Sequence, residues 1–326
     1  MPRIKLMMSL KWIFNFNLEL GVKMKELLSI SGQTPLVKLQ LPELAHINLF
    51  AKLEYYNPTG SIKDRAASYI LKTLLQNQEI KQDTTIIESS SGNFGIALAA
   101  ACRFFNLKFC CVIDPNITKI NELILKATCD RVIKVSKPDE YGGYLRTRIE
   151  TVKDILKHEK NIYWINQYGN PYNRDAYQRL GDEICDEITD IDYIFVAVSS
   201  GGTISGISKQ IKSRSPNTKI IAVDSEGSVI FGEKPQKRKI PGIGSSIVPE
   251  ILKDAKIDDV VIIDENSTIS MCNYMLKNQS MFIGGSSGTV MSAVLKYFNG
   301  QAYFNKPNVV VIFPDKGDRY IDIIYK

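Results

Sequence analysis

Eight short runs rich in β-branched and aromatic residues recur along this chain: Leu49–Leu53, Thr85–Ile87, Phe109–Ile113, Arg131–Val135, Tyr193–Val198, Lys219–Val223, Val260–Ile263 and Val309–Phe313. Helical stretches such as Asp64–Leu75, Asn93–Phe105 and Gly143–Lys157 lie between them. Alternation of this kind implies crossover helices, and crossovers join parallel strands. A parallel sheet is covered on both faces, so its strands read as nearly unbroken apolar runs. YIFVAV at 193–198 and VVVIF at 309–313 have that character. The pattern predicts an α/β fold, and 326 residues suffice for one large or two modest domains with a sizeable core.

A hydrophobic fraction of 44% and a charged fraction of 23% are ordinary for a soluble enzyme. The 41 basic residues exceed the 35 acidic ones only mildly, and the surplus is spread along the chain, which argues against a nucleic-acid partner. None of the six cysteines (Cys102, Cys110, Cys111, Cys129, Cys185, Cys272) forms a C-x-x-C pair, and several sit in apolar runs. They read as reduced buried thiols of a cytoplasmic protein, not as disulfides or zinc ligands. With only His46 and His158, both in polar surroundings, neither a histidine-based triad nor a metal site is expected.

Met1–Lys23 is basic and apolar by turns. Its apolar stretch Leu10–Phe16 is too short to span a membrane, and no small-residue cleavage site follows. It reads as an N-terminal extension, or an upstream start before Met24. The basic stretch Glu233–Pro241 (EKPQKRKIP) reads as a solvated surface loop.

Four polar, glycine-rich turns carry the chemistry, and each is expected between a strand and a helix, where open α/β sheets bind ligands. Asn57–Arg65 (NPTGSIKDR) places Lys63 at a helix start, where the dipole disfavours an ammonium and lowers the lysine pKa, as an imine-forming lysine requires. Taken alone, a surface lysine fits the same pattern. Ser89–Gly95 (SSSGNFG) offers hydroxyls and helix N-terminal N–H groups to a carboxylate, or simple capping. Ser199–Gly206 (SSGGTISG) reads as a phosphate cradle or a tight turn, and it lacks both the G-K-[ST] of a P-loop and the G-x-G-x-x-G spacing. Gly284–Thr289 (GGSSGT) could present a serine to a heterocyclic nitrogen.

In this order the four turns resemble the signatures of the cysteine synthase / cystathionine β-synthase family of pyridoxal-phosphate enzymes. The resemblance runs from Gln33-Thr-Pro35 through Pro241–Gly244 (PGIG) to Pro314–Tyr320 (PDKGDRY), and so covers all but the N-terminal extension. It implies fold type II, similar to tryptophan synthase β: two α/β lobes with mainly parallel sheets and pyridoxal 5'-phosphate between them. The smaller, mobile lobe would span 52–165, and the larger, cofactor-anchoring lobe 24–51 plus 166–326. Lys63 would carry the cofactor, remove the substrate's α-proton and later return one. Asn93 would hydrogen-bond the cofactor's phenolic oxygen, Ser199, Ser200, Gly201, Gly202 and Thr203 its phosphate, and Ser286 its pyridine nitrogen. Ser90, Ser91, Gly92 and Gln167 would receive the substrate α-carboxylate. A homodimer acting on small amino acids is also implied; a cytoplasmic location without membrane or nucleic-acid partners is expected from the composition, and, with the chain ending soon after GDRY, no C-terminal regulatory domain is expected.

Departures from the family pattern narrow the substrates. Tyr168 stands where cysteine synthases usually have phenylalanine, Ser199 where their phosphate loop begins with glycine, and Phe94 where threonine is common. The added hydroxyls suit a phosphorylated serine better than an acetylated one. With YGGYLRTRI at 141–149, WINQY at 164–168, GSVIFGEKP at 227–235 and GDRY at 317–320, the chain most resembles one branch of the family. Its members make N-(2-amino-2-carboxyethyl)-L-glutamate from O-phospho-L-serine and L-glutamate, for the L-2,3-diaminopropionate of staphyloferrin B and related siderophores and antibiotics. A dicarboxylate nucleophile needs cationic partners. Arg146 and Arg148 are the candidates, with Arg148 preferred, because residues two apart on a helix point in different directions. Competing readings are a cysteine synthase using O-acetylserine or O-phosphoserine with sulfide, a serine or threonine dehydratase, and a non-catalytic ligand-binding module on the same fold.

Overall fold

The computed structural model describes residues 31–139 and 142–326; the expected N-terminal extension and Tyr141 lie outside them. In chain order the strands are β1 (Leu36–Leu39), β2 (Asn48–Leu53), β3 (Thr85–Ser89), β4 (Lys108–Ile113), β5 (Arg131–Lys134), β6 (Ile162–Trp164), β7 (Tyr193–Ala197), β8 (Lys219–Ser225), β9 (Asp259–Ile263) and β10 (Asn308–Phe313). They form a six-stranded sheet ordered β1-β2-β10-β7-β8-β9 and a four-stranded sheet ordered β5-β4-β3-β6. Every pairing is parallel except β1 with β2. The two-sheet α/β architecture read from the sequence is therefore the one observed, with all eight expected strands present and their ends displaced by at most two residues.

Both faces of the central strands are buried, as parallel pairing requires. On β10, Val309, Val311 and Phe313 join a core with Phe195 and Val290, while Val310 and Ile312 join the opposite core with Ile194 and Ile207. In the small sheet, Ile86, Phe109 and Cys111 face the latter core, and Ile87, Cys110 and Val112 face Val152. All six cysteines are free thiols. Strands β1 and β6 were not foreseen. At four and three residues they are too short to show a periodicity, and β1 is an antiparallel edge that needs no crossover helix.

The helices that follow the strands are α1 (Lys63–Gln76), α2 (Asn93–Phe104), α3 (Lys119–Thr128), α4 (Leu145–His158), α5 (Pro171–Asp175), α6 (Gln178–Glu187), α7 (Gly202–Arg214), α8 (Glu265–Gln279), α9 (Gly285–Phe298) and α10 (Ile321–Ile324). Among the described residues no helix is long and apolar enough to cross a membrane. The GGSSGT turn departs from expectation. Gly284 is the N-cap of α9 and Gly285–Thr289 are its first residues, the preceding element is the helix α8, and only the single bridge residue Ile283, paired with Lys316, stands where a strand was expected. The small sheet is built from residues 85–164, and the residue-52 boundary expected between lobes falls inside β2.

A buried ionic network locks α1 onto the large sheet. Arg65 Nε donates to Glu54 Oε2 at 2.7 Å and Nη2 to Glu183 Oε2 at 2.6 Å. Lys52 Nζ reaches Glu183 at 3.3 Å, Glu187 at 2.8 Å and the carbonyl of Thr34 at 2.6 Å. Removing one member of a buried network leaves its partners charged and unpaired. The Arg65→Met variant is therefore expected to lose about 3–5 kcal/mol of stability. Urea unfolding followed by circular dichroism checks this, and a loss well under ~1 kcal/mol would contradict it.

Candidate active site

A cavity of about 1130 Å³ opens along the C-terminal ends of β3, β4, β6, β7 and β10. This is where an open parallel sheet presents unsatisfied backbone and helix N-termini to a ligand.

Lys63 is the first residue of α1 and lines this cavity. Its turn is built locally. Gly60 takes φ +82° and its N–H meets the carbonyl of Asn57 at 2.8 Å. Asp64 accepts from both the N–H and the hydroxyl of Thr59, each at 2.7 Å. The N–H of Ile62 then meets the carbonyl of Pro314 at 2.9 Å, tying the turn to the end of β10. Burial lowers the Lys63 amine from 10.5 to about 8, against the opposing pull of the Asp315 charge. Desolvation, more than the helix dipole invoked from the sequence, is the principal cause.

The Ser89–Gly95 turn caps itself. Ser90 Oγ accepts from Gly95 N–H at 2.9 Å. Ser91 Oγ donates to Asp114 Oδ2 at 2.9 Å and accepts from Arg148 Nη1 at 3.1 Å. Gln167 Nε2 donates to the carbonyl of Ser89 at 3.2 Å. Beneath them lies Glu88, whose carboxylate accepts the N–H groups of Ser89 at 2.7 Å and Gln167 at 3.2 Å. Burial raises Glu88 to about 7. Ser90, Ser91, Gly92, Gln167 and Tyr168 all line the cavity, at a helix start whose first-turn N–H groups have no helical acceptor. Donors of this kind at a helix start are able to receive an anion such as a carboxylate.

Asn93 also lines the cavity, with its amide engaged on both sides. Nδ2 donates to Asp315 Oδ2 at 2.6 Å, and Oδ1 accepts from Arg319. Asp315 is a hub: Tyr320 donates to the same carboxylate, and its backbone carbonyl accepts Gly284 N–H at 3.0 Å. A Cβ added to Gly284 would overlap Asp315 Oδ1.

On the opposite wall, Ser199 Oγ donates to the carbonyl of Gly244 at 3.1 Å, and Gly201 turns the chain at φ +83° into α7. Ser199, Ser200, Gly201 and Thr203 line the cavity; Gly202 lies behind them, where a Cβ would come within 2.7 Å of Asn173. Ser200 Oγ is buried with no hydrogen-bond partner. A buried hydroxyl beside the first-turn N–H groups of α7 adds a donor to those a helix start already offers to an anion. Ser286, on the first turn of α9, is buried and also lines the cavity.

One sequence expectation needs correction and another needs extension. Both Arg146 and Arg148 line the cavity, so their spacing on α4 does not turn one away. Arg148, moreover, already pairs with Asp114 at 3.1 Å. The stretch expected to be a solvated loop is largely exposed, and from Pro235 to Pro241 it also borders the cavity. Nothing local revealed this, because its position depends on the chain returning over the cavity. Glu88 and Asp114 were equally missed; a carboxylate inside the apolar strand TIIES was the available signal for the first.

Residues 27–315 match the family model described as pyridoxal-phosphate dependent enzyme. Among solved structures, an O-acetylserine dependent cystathionine β-synthase from Helicobacter pylori is 30% identical with a TM-score of 0.86, covering 94% of this chain and 100% of its own. A hydrogen sulfide-producing enzyme from Fusobacterium nucleatum is 27% identical with a TM-score of 0.84, over 90% and 98% respectively. An O-acetylserine sulfhydrylase isoform from Entamoeba histolytica is 29% identical with a TM-score of 0.83, over 91% and 89%.

Acylation of Lys63 in the cofactor-free protein by an amine-directed reagent, mapped by mass spectrometry, is expected to rise as pH passes about 8. Labelling that instead follows an ordinary lysine at 10.5 would show that burial does not set this amine.

Proposed function

The chain belongs to the pyridoxal-phosphate dependent enzyme family, and on that premise we propose that it catalyses β-replacement between two anionic amino acids. The Cβ–O bond of O-phospho-L-serine breaks and phosphate leaves. A Cβ–N bond forms to the amine of L-glutamate, which gives up a proton. The product is N-(2-amino-2-carboxyethyl)-L-glutamate, a precursor of L-2,3-diaminopropionate.

The residues fit the cofactor. Ser200 Oγ is a buried hydroxyl without a partner beside the start of α7, as a phosphate-binding loop requires, and Lys63 is an amine kept readily deprotonated by burial. Ser199, Ser200, Gly201 and Thr203 would hold the phosphate, with Gly202 keeping their backbone close to Asn173, and Ser286 and Asn93 would address the ring. Bound pyridoxal phosphate supplies the electron sink that makes a substrate α-proton removable. Lys63 Nζ takes that proton from the α-carbon and returns one when the product is complete. The Ser89–Gly95 turn and Gln167 hold the substrate α-carboxylate, and Glu88 keeps those two segments in register. Ser286, a buried neutral hydroxyl on the cavity wall, would face the ring nitrogen and leave it unprotonated, which would favour loss of a β-substituent over transamination.

One observation carries the choice of substrates. Leaving aside Lys63, whose amine burial keeps readily deprotonated, the cavity wall holds among the described residues five cations, Arg146, Arg148, Lys237, Arg238 and Lys239, against three carboxylates, Asp114, Asp139 and Asp315. That excess of positive charge suits a phosphate leaving group and a dicarboxylate nucleophile better than sulfide. The sulfur chemistry named for the three relatives favours the second reading, a cysteine synthase using O-acetylserine or O-phosphoserine with sulfide.

Holoenzyme given O-phospho-L-serine with either glutamate or sulfide separates the two. Mass spectrometry should detect the glutamate adduct together with stoichiometric phosphate. Efficient cysteine formation with no glutamate adduct would reject the first reading.

A further inference from the structure

One cation of the cavity wall, Arg238, is half-buried without a carboxylate paired to it among the described residues. It lies between β8 and β9, and its anchors are backbone carbonyls: Nη1 donates to Gly227 O at 2.6 Å and Ser245 O at 3.4 Å. Among the described residues no carboxylate forms an ion pair with it, and its Nε and Nη2 donate to no protein group. Asp224 and Glu265 are the acidic side chains whose charges reach it, both from beyond ion-pair distance. Arg148, by contrast, is neutralised by Asp114.

A half-buried cation without a counter-ion is costly, and it is tolerated where a ligand supplies the missing charge. The geometry suits such a ligand. Nε and Nη2 form the edge of a guanidinium that binds carboxylate or phosphate through two parallel hydrogen bonds. Gly244 keeps that edge accessible: it sits at φ +71°, and a Cβ there would come within 3.2 Å of Arg238 Nε. Across the cavity, the charges of Arg148 and Arg238 both reach the phenol of Tyr168. An anion seated beside Tyr168 would therefore feel both guanidinium charges, of which only that of Arg148 is paired with a carboxylate.

We infer that Arg238 is a specificity-determining residue that binds an oxyanion of the substrate pair through its Nε–Nη2 edge, an inference that deepens the reading of two anionic substrates and rests on it. The anion is either the phosphate of the leaving group or the side-chain carboxylate of the incoming amino acid. The shared chemistry is a planar or tetrahedral oxyanion.

Two probes distinguish the sources. Calorimetric titration of the holoenzyme with inorganic phosphate and, separately, with glutarate should show that Arg238→Gln weakens one of them by about ten-fold or more. The probe affected identifies the substrate. Arg238→Lys should recover only part of that affinity, because an ammonium keeps the charge and loses the fork. In steady state, Arg238→Gln should raise the KM of the identified substrate far more than it lowers kcat. Should the Gln variant fail to fold, the wild-type holoenzyme still tests the inference. Phosphate or glutarate should protect Arg238 from modification by phenylglyoxal, mapped by mass spectrometry. Dissociation constants within about two-fold of wild type for both probes, or no protection by either, would overturn the assignment. A wild-type enzyme that binds these anions through Arg238 yet makes no glutamate adduct would sink the glutamate reading and leave the anion site standing.

Discussion

The position of Lys63 depends on a buried exchange of charge two residues further along the same helix. Arg65 is 4% exposed and could not be accommodated without Glu54 and Glu183, which in turn bring Lys52 into the large sheet as a fully buried cation. Networks of this kind add little net stability over an apolar core, but they penalise any arrangement that leaves a member unpaired. β2, α1 and α6 are thereby fixed in mutual orientation. With α1 fixed, Lys63 must emerge at the end of β10, where burial lowers its amine to about 8. The ionic lock and the reactive amine are thus successive consequences of one short segment, NPTGSIKDR.

Asp315 plays a related part on the other side of the cavity. Its side chain receives Asn93, from the start of α2, and Tyr320, while its backbone joins Ser61 in a bridge and accepts Gly284 from the start of α9. Three segments far apart in sequence, around residues 61, 93 and 284, are brought to one residue. Burial raises the Asp315 carboxyl above its ordinary value, and the hydrogen bonds from Tyr320 and Asn93 oppose that rise. The small sheet therefore meets the large one through hydrogen bonds to a buried acid as well as through apolar packing.

Much of this was legible in the sequence because the signals were local. An apolar run such as VVVIF cannot face solvent on either side, so it announces a buried parallel strand, and glycine beside serine announces a backbone that can approach an anion. What the sequence concealed was tertiary. The basic stretch 235–241 has neither periodicity nor an apolar face, so nothing in it distinguishes a solvated loop from a cavity wall. Arg148 looked like a cation available to substrate because Asp114, which neutralises it, lies 34 positions earlier on a different element. The GGSSGT run looked like a turn after a strand because a glycine-rich helix start can follow a helix equally well.

Gly284 illustrates how such a site constrains its own history. A methyl group there would occupy the space of an Asp315 oxygen, so residue 284 cannot enlarge while residue 315 is unchanged. Asp315 cannot be shortened without releasing Asn93 and Tyr320. Divergence at these two positions must therefore follow an order, 315 before 284, and each intermediate sequence must function on the way. Lineages descending from this chain would find that route nearly closed. Change in substrate preference would accumulate instead on the opposite wall, where Arg238 is held by backbone carbonyls and residue 238 can vary without disturbing a partner side chain.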